Sequence, residues 1–273
     1  MTEELTKKVK SWLDSQGYPL EMKVARCFQN AGFRVSSSEY YLDPDENKPR
    51  EIDVIASLDE TIAGKTFQLA FVVECKVSKD SPWVCFQGIP EQKRDSSIGF
   101  IARLATIQGK DLLTEVSSNP DITTNRLLEL PENHAYGVTN ALKNKIDLPY
   151  KAIVGARKAA NAVIAHYDKV QAPPNPIHTV CIAFPLVVVD TPIYSCALSP
   201  DGNIDLEVVT SQTILRTGFD TYYSIVEIVS ASSLELFINS KAEVMAKFLK
   251  RVRNRIPHTL EQLDIADMTS EIK

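Results

Sequence analysis

Apolar positions along the chain change period several times, and each change marks an element. Leu5, Val9, Trp12 and Leu13 recur at helical spacing, so residues 3–16 read as an amphipathic helix. Gly17 can close it, and Pro19 can open a second helix marked by Leu20, Val24, Phe28 and Ala31, ending at Gly32. Strand-like runs follow at Phe33–Tyr41, Glu51–Leu58 and Thr66–Val77. The polar loop Asp43–Arg50 separates the first two, and Asp59–Lys65, with Gly64, makes a hairpin connection between the second and third.

Further along, Ile98, Ile101, Leu104, Ala105 and Gln108 suggest a helix, and Ser117–Asp121 a loop. Val138–Lys145 and Tyr150–Val170 read as helices, the second with Ile153, Ala156, Ala160, Val163, Ile164 and Tyr167 on one stripe. The Pro-rich Gln171–Pro176 breaks the pattern. Strands return at Val180–Val189, Ile193–Leu198, Ile204–Leu215 and Tyr222–Val229, with a turn at Asp201-Gly202. A final helix spans about Ser232–Arg255, and a polar tail begins at Pro257. The expected organisation is a single domain over residues 1–256, with a helical insertion around 88–170 and a polar tail at 257–273. Its class is mixed α/β, a central mixed sheet flanked by helices.

Composition narrows the class. Of 273 residues, 44% are hydrophobic and 24% charged, which suits a globular protein with a sizeable core. Met1–Lys10 has no signal-peptide pattern, and the apolar run near Ala183–Val189 is far too short to cross a bilayer. Five cysteines, odd in number and without a CxxC pair, read as reduced thiols, so the expected compartment is cytoplasmic. Four scattered histidines offer no zinc pattern. The net charge of −5 argues against a passive nucleic-acid coat, but not against an enzyme whose carboxylates hold cations.

The candidate chemistry lies in Arg50-Glu-Ile-Asp53-Val-Ile-Ala and Phe71-Val-Val-Glu74-Cys-Lys76-Val. Strand alternation puts Glu74 and Lys76 on one face, and a hairpin through Gly64 brings Asp53 opposite the Glu74 region. Two carboxylates from adjacent strands make a hard oxygen site suited to Mg²⁺ or Mn²⁺. The lysine beside them can orient an attacking water and offset charge on a phosphate. The chain has five acid-x-Lys tripeptides, and only Glu74-Cys-Lys76 ends a strongly apolar strand that follows a second acid-bearing strand.

At these residues the chain resembles the PD-(D/E)xK nuclease superfamily, the restriction-endonuclease-like fold. That core is a helix, three strands, a helix and a further strand, with one metal-binding acid on the second strand and (D/E)xK on the third. Asp53 matches the first and Glu74-Cys-Lys76 the second, over roughly residues 18–86; Pro49-Arg-Glu-Ile-Asp53 replaces a literal Pro-Asp pair. Many members add a glutamate from the preceding helix, and Glu21 is the match here. The resemblance implies a metal-dependent deoxyribonuclease with catalytic residues Asp53, Glu74, Lys76 and Glu21, and Asp53, Glu74 and Glu21 as metal ligands. It implies DNA as substrate, no membrane, and compatibility with a homo-oligomer or a partner protein of a restriction or host/phage-defence system. The alternative is a non-catalytic module that keeps the fold to bind nucleic acid or a partner protein in a larger assembly.

Other residues have competing roles. Glu21 is favoured in a helix's first turn by the macrodipole alone. Lys247, Lys250, Arg251, Arg253 and Arg255 read first as a solvated face and second as a phosphate strip. Gln92 and Lys93 follow the motif within reach of a substrate, Trp83 reads as core ahead of base stacking, and Tyr40 and Tyr41 are open either way.

Overall fold

The computed structural model describes residues 2–62, 64–78, 80–88, 102–117, 127–131, 133–142, 147–170, 179–216 and 224–255. Helices α1 (Thr2–Ser15) and α2 (Tyr18–Asn30) precede an antiparallel meander of β1 (Arg34–Asp43), β2 (Lys48–Ile62) and β3 (Lys65–Lys76). Then come β4 (Trp83–Gln87), β5 (Leu104–Ala105), α3 (Ile107–Ser117), β6 (Ala135–Asn140) and α4 (Leu148–Val170). The chain continues with β7 (Thr179–Val189), β8 (Ile193–Leu198), β9 (Ile204–Val209), β10 (Ser211–Arg216), β11 (Ser224–Ser230) and α5 (Leu234–Arg255).

Local chemistry sets the boundaries near the candidate residues. Pro19 sits in the first turn of α2, where its missing N–H costs nothing. Gly32, at φ 85°, ends that helix and lets the Phe33 N–H return to the Phe28 carbonyl at 3.1 Å. The same turn stacks Phe33 edge-on against Phe28, with centroids 5.1 Å apart. Gly64, at φ 78°, closes the β2–β3 hairpin, whose last pair is Ile62 with Lys65.

The strands form one mixed sheet in the order β1-β2-β3-β7-β11-β10-β6-β4-β8-β9, with β5 paired to β7 off that path. Strand β7 is parallel to β3 and β11, and all its residues are buried, as its unbroken apolar run requires. Pro185 lies within it, between the stretch paired with β5 (Ile182, Ala183) and that paired with β11 (Leu186–Val189). The missing donor thus falls where the neighbouring strand changes. Helices α2 and α5 cover one face over a core containing Phe28, Phe71, Phe184 and Phe248. Helix α4 covers the other, with Ala152, Ile153 and Ala156 against Trp83, Cys85 and Ile193, and Ala159, Ala160 and Ile164 against Ala70 and Val72.

Some sequence expectations need correction. The helix expected at Val138–Lys145 is replaced at its start by a strand: Ala135–Asn140 is β6, paired with β4 and β10, and residues 143–145 lie outside the described residues. Available sheet partners outweigh the modest helical preference of that stretch. The helix expected near Leu104 starts later, because Leu104 and Ala105 pair with β7 and the Thr106 hydroxyl caps α3 by accepting the Gly109 N–H at 3.2 Å. The segment around 88–170 therefore contributes strands as well as helices. Ile204–Leu215 is two strands, because the chain leaves β8 at Thr210 to join β11. The 171–176 break and the tail from 257 lie outside the described residues.

Candidate metal and phosphodiester site

The β2–β3 ladder holds from Ile62–Lys65 to Val54–Val73. Beyond that pair β3 stays bonded to β7 as far as Lys76, opposite Val189. The Asp53 carboxylate takes over where β2 departs: its Oδ2 accepts the Cys75 N–H at 2.6 Å. On the other edge of β2, the pairs Ser37–Val54 and Glu39–Ile52 flank Ser38, which has φ 57°. A non-glycine residue in the left-handed region bends β1 at the level of Asp53. Two departures from regular pairing therefore converge on this one acid.

Glu74 and Lys76 lie together, as strand alternation requires, and the Lys76 ammonium contacts Glu74 Oε1. Both are mostly buried, with Glu74 16% and Lys76 26% exposed. The Glu74 carboxylate packs against α4 at Gly155, where an added Cβ would stand 3.4 Å from Oε2. Glu21 comes from the first turn of α2, and its strongest charge neighbours are Asp53, Glu51, Lys76 and Glu74. The structure therefore brings Asp53, Glu74 and Lys76 together, with Glu21 near enough for their charges to act on it.

The electrostatics are those of an over-acidic site. Burial, then the Asp53, Glu51 and Glu74 charges, push the Glu21 carboxyl from 4.5 to about 7 against the pull of Lys76. Burial raises Asp53 despite the Cys75 hydrogen bond and Lys76. Burial also raises Glu74, with Asp53 adding to the rise and Lys76 opposing it. Burial pulls Lys76 down, but Glu74 and Asp53 outweigh it and keep the ammonium above its usual value. Three carboxylates around one ammonium leave excess negative charge, which a bound cation would offset. The donors are hard oxygens, so the set fits Mg²⁺ or Mn²⁺ by charge and ligand type. Among the described residues, no three His, Cys, Asp or Glu side chains converge into a preformed metal cage. The fit therefore rests on the Asp53 and Glu74 pair, with Glu21 close by.

This imbalance gives a pH signature. A carboxyl raised from 4.5 to about 7 contributes its stability fully below pH 4.5 and loses it as pH rises through 7. Glu21→Gln is therefore expected to match wild type near pH 4.5 and to melt higher at pH 8. Partial exposure screens the effect, so the difference should be on the order of a few degrees. Thermal unfolding across pH measures it, and equal midpoints at pH 8 would remove Glu21 from the charged cluster.

The remaining candidates sort differently. Trp83 is fully buried and donates its indole N–H to Ser78 Oγ at 3.1 Å, which makes it core. Tyr40 is exposed, whereas Tyr41 packs beside α4 near Glu74. On α5, Lys247 pairs with Glu243 and Arg253 with Glu60, as a solvated face would. Gln92 and Lys93 lie outside the described residues. Sequence reasoning missed Gly155, which passes alongside the Glu74 carboxylate at ordinary contact distance, and Lys158, three residues on. Lys158 bonds Asp43 at 3.0 Å and Asp45 at 2.6 Å, tying the β1–β2 turn to α4. No family model, no curated protein and no solved structure matches the chain.

Proposed function

We propose that the chain is a metal-dependent phosphodiesterase acting on DNA, with Asp53 and Glu74 holding Mg²⁺ or Mn²⁺ and Lys76 acting on the substrate phosphate. The observation that carries this reading is the half-buried pair of carboxylates, Asp53 and Glu74, beside the Lys76 ammonium where β2 and β3 part, with Glu21 near enough to feel their charges. Isolated charges are costly to bury, and a cation meeting a phosphate there accounts for the cost. The order α2, β1, β2, β3, then, after the intervening β4, β5, α3 and β6, α4 and a β7 parallel to β3, is compatible with the helix, three strands, helix and strand of the family the motif resembles.

A divalent ion at this site supplies Lewis acidity toward a phosphate oxygen. The protein's own groups divide the rest. Lys76 stays protonated and can neutralise charge developing on the phosphate. Asp53 is fixed by the Cys75 N–H, so its second oxygen keeps a set direction. Glu21, near half-ionised at neutral pH, can accept a proton from an attacking water.

The test uses the purified chain with supercoiled, linear and single-stranded DNA. Cleavage is expected with Mg²⁺ or Mn²⁺, to stop on adding EDTA, and to be poor with Ca²⁺, whose looser coordination positions ligands less well. No cleavage of any substrate with either metal would overturn the reading. The closed Lys76–Glu74 ion pair favours the second reading, a binding module without catalysis. Under that reading the protein would retain DNA with or without divalent ions and never cut it.

A further inference from the structure

Arg50 lies on the strand that carries Asp53, beyond the point where the β2–β3 ladder ends. It stands opposite Tyr41 of β1 and shares the face of Ile52, which packs with Ala70 and Val72 under α4. Glu74 follows Val72 on that face by alternation and meets α4 at Gly155. Arg50 therefore belongs to the Glu74 side of the sheet, one strand over, at the rim of the site. Its charge reaches that carboxylate: burial raises Glu74, and Arg50 joins Lys76 in pulling it down. The Arg50 side chain is 50% exposed, so its guanidinium is open to a molecule arriving from solvent.

At rest that guanidinium is parked on the acidic β1–β2 turn. Its Nη2 lies 2.8 Å from Glu46 Oε1, and its Nε 4.0 Å from Asp43 Oδ2. The turn itself is well held. Asp43 Oδ1 accepts the Asp45 N–H at 2.9 Å, and the Asp43 carbonyl accepts the Asn47 N–H at 2.8 Å. Lys158 of α4 then bonds both Asp43 oxygens at 3.0 Å and Asp45 at 2.6 Å.

The two cations near this turn thus differ in freedom. Lys158 is committed to the scaffold, because its contacts close on a carboxylate that is 5% exposed. Arg50 is not, because Glu46 is 44% exposed and an ion pair between two such side chains holds its partners weakly. A guanidinium presents its donors in a planar fork that fits two oxygens of a phosphate as well as those of a carboxylate. Exchanging one oxyanion for the other strands no charge, since the released Glu46 faces water and already lies 3.8 Å from Lys48.

On the phosphodiesterase reading of the site, on which this step rests, we propose that Arg50 leaves Glu46 to clamp a DNA phosphate next to the one presented to Asp53, Glu74 and Lys76. The acidic turn then competes with substrate for one guanidinium. Fluorescence anisotropy of labelled duplex and single-stranded DNA tests this on the full chain, with Ca²⁺ in place of Mg²⁺ so that binding is read apart from cleavage. Arg50→Ala should weaken binding roughly tenfold, the size of one charge-assisted contact. The slope of log affinity against log salt should become shallower by about one. Arg50→Lys, which keeps the charge and loses the fork, should fall between the two and carries the test should the alanine variant fail to fold by circular dichroism. Glu46→Gln should tighten binding severalfold by freeing Arg50, and that gain should vanish in the Arg50→Ala/Glu46→Gln double variant. A gain that survives there would come from Lys48 or from net charge alone and would overturn the exchange. Arg50 variants with wild-type affinity and salt slope, or a wild type that binds neither DNA, would overturn the clamp. A wild type that shows these shifts yet never cuts with Mg²⁺ or Mn²⁺ would sink the phosphodiesterase reading while leaving the Arg50 contact in place.

Discussion

Lys76→Ala is expected to lower metal-dependent DNA cleavage by about a hundredfold or more while leaving divalent-ion binding near wild type. An ammonium is not a metal ligand, and its removal frees Glu74 Oε1 from the ion pair. The expected signature is a loss in kcat with little change in the metal concentration needed for half-maximal rate. Asp53→Asn should differ in its effect on metal binding. It keeps an acceptor for the Cys75 N–H and removes the charge, so the fold survives while metal affinity and cleavage both fall. Calorimetric metal titration beside single-turnover cleavage separates the two. A Lys76→Ala enzyme that cuts as well as wild type would rule out the role given to that residue.

Phe71→Ala is expected to cost about 3–5 kcal/mol, the usual range for removing a buried phenyl ring. The ring is fully buried, with centroids 5.4 Å from Phe28, 6.0 Å from Phe33, 5.7 Å from Phe184 and 6.3 Å from Phe237. It joins α2 and α5 to the strand that carries Glu74 and Lys76. Against a typical total of about 5–15 kcal/mol, that loss is a large fraction. The melting midpoint should fall by roughly ten degrees, and cleavage at low temperature should fall far less than in Lys76→Ala. Measuring both temperature profiles distinguishes a weakened scaffold from a damaged site. A midpoint within two or three degrees of wild type would mean that the cluster relaxes around the gap.

The grouping of Asp53, Glu74 and Lys76 was readable because its signals are short-range. Two apolar strands joined through Gly64 fix the register between Asp53 and Glu74, and alternation fixes Glu74 with Lys76. The first helix pair and the all-apolar β7 were equally legible, since period and length suffice for them. What was not legible depends on distant partners. Ala135–Asn140 becomes a strand because β4 and β10 flank it, and neither is near it in sequence. Thr210 divides one apparent strand into two because each half meets a different neighbour. Gly155 meets Glu74 across 81 residues of chain, and only the crossing of α4 over β3 brings the two together.

The hydrogen bond from the Cys75 amide to Asp53 makes that amide a spectroscopic reporter of the carboxylate. An ionised acceptor holds an N–H more tightly than a neutral one, so protonating Asp53 should move the Cys75 amide proton resonance upfield and speed its exchange with solvent. A cation drawing on the same carboxylate would weaken the bond in like manner at constant pH. One backbone nitrogen can therefore follow occupancy of the site in the absence of any substrate. Val73, two residues earlier on the same strand and held in the regular ladder opposite Val54, serves as its internal control.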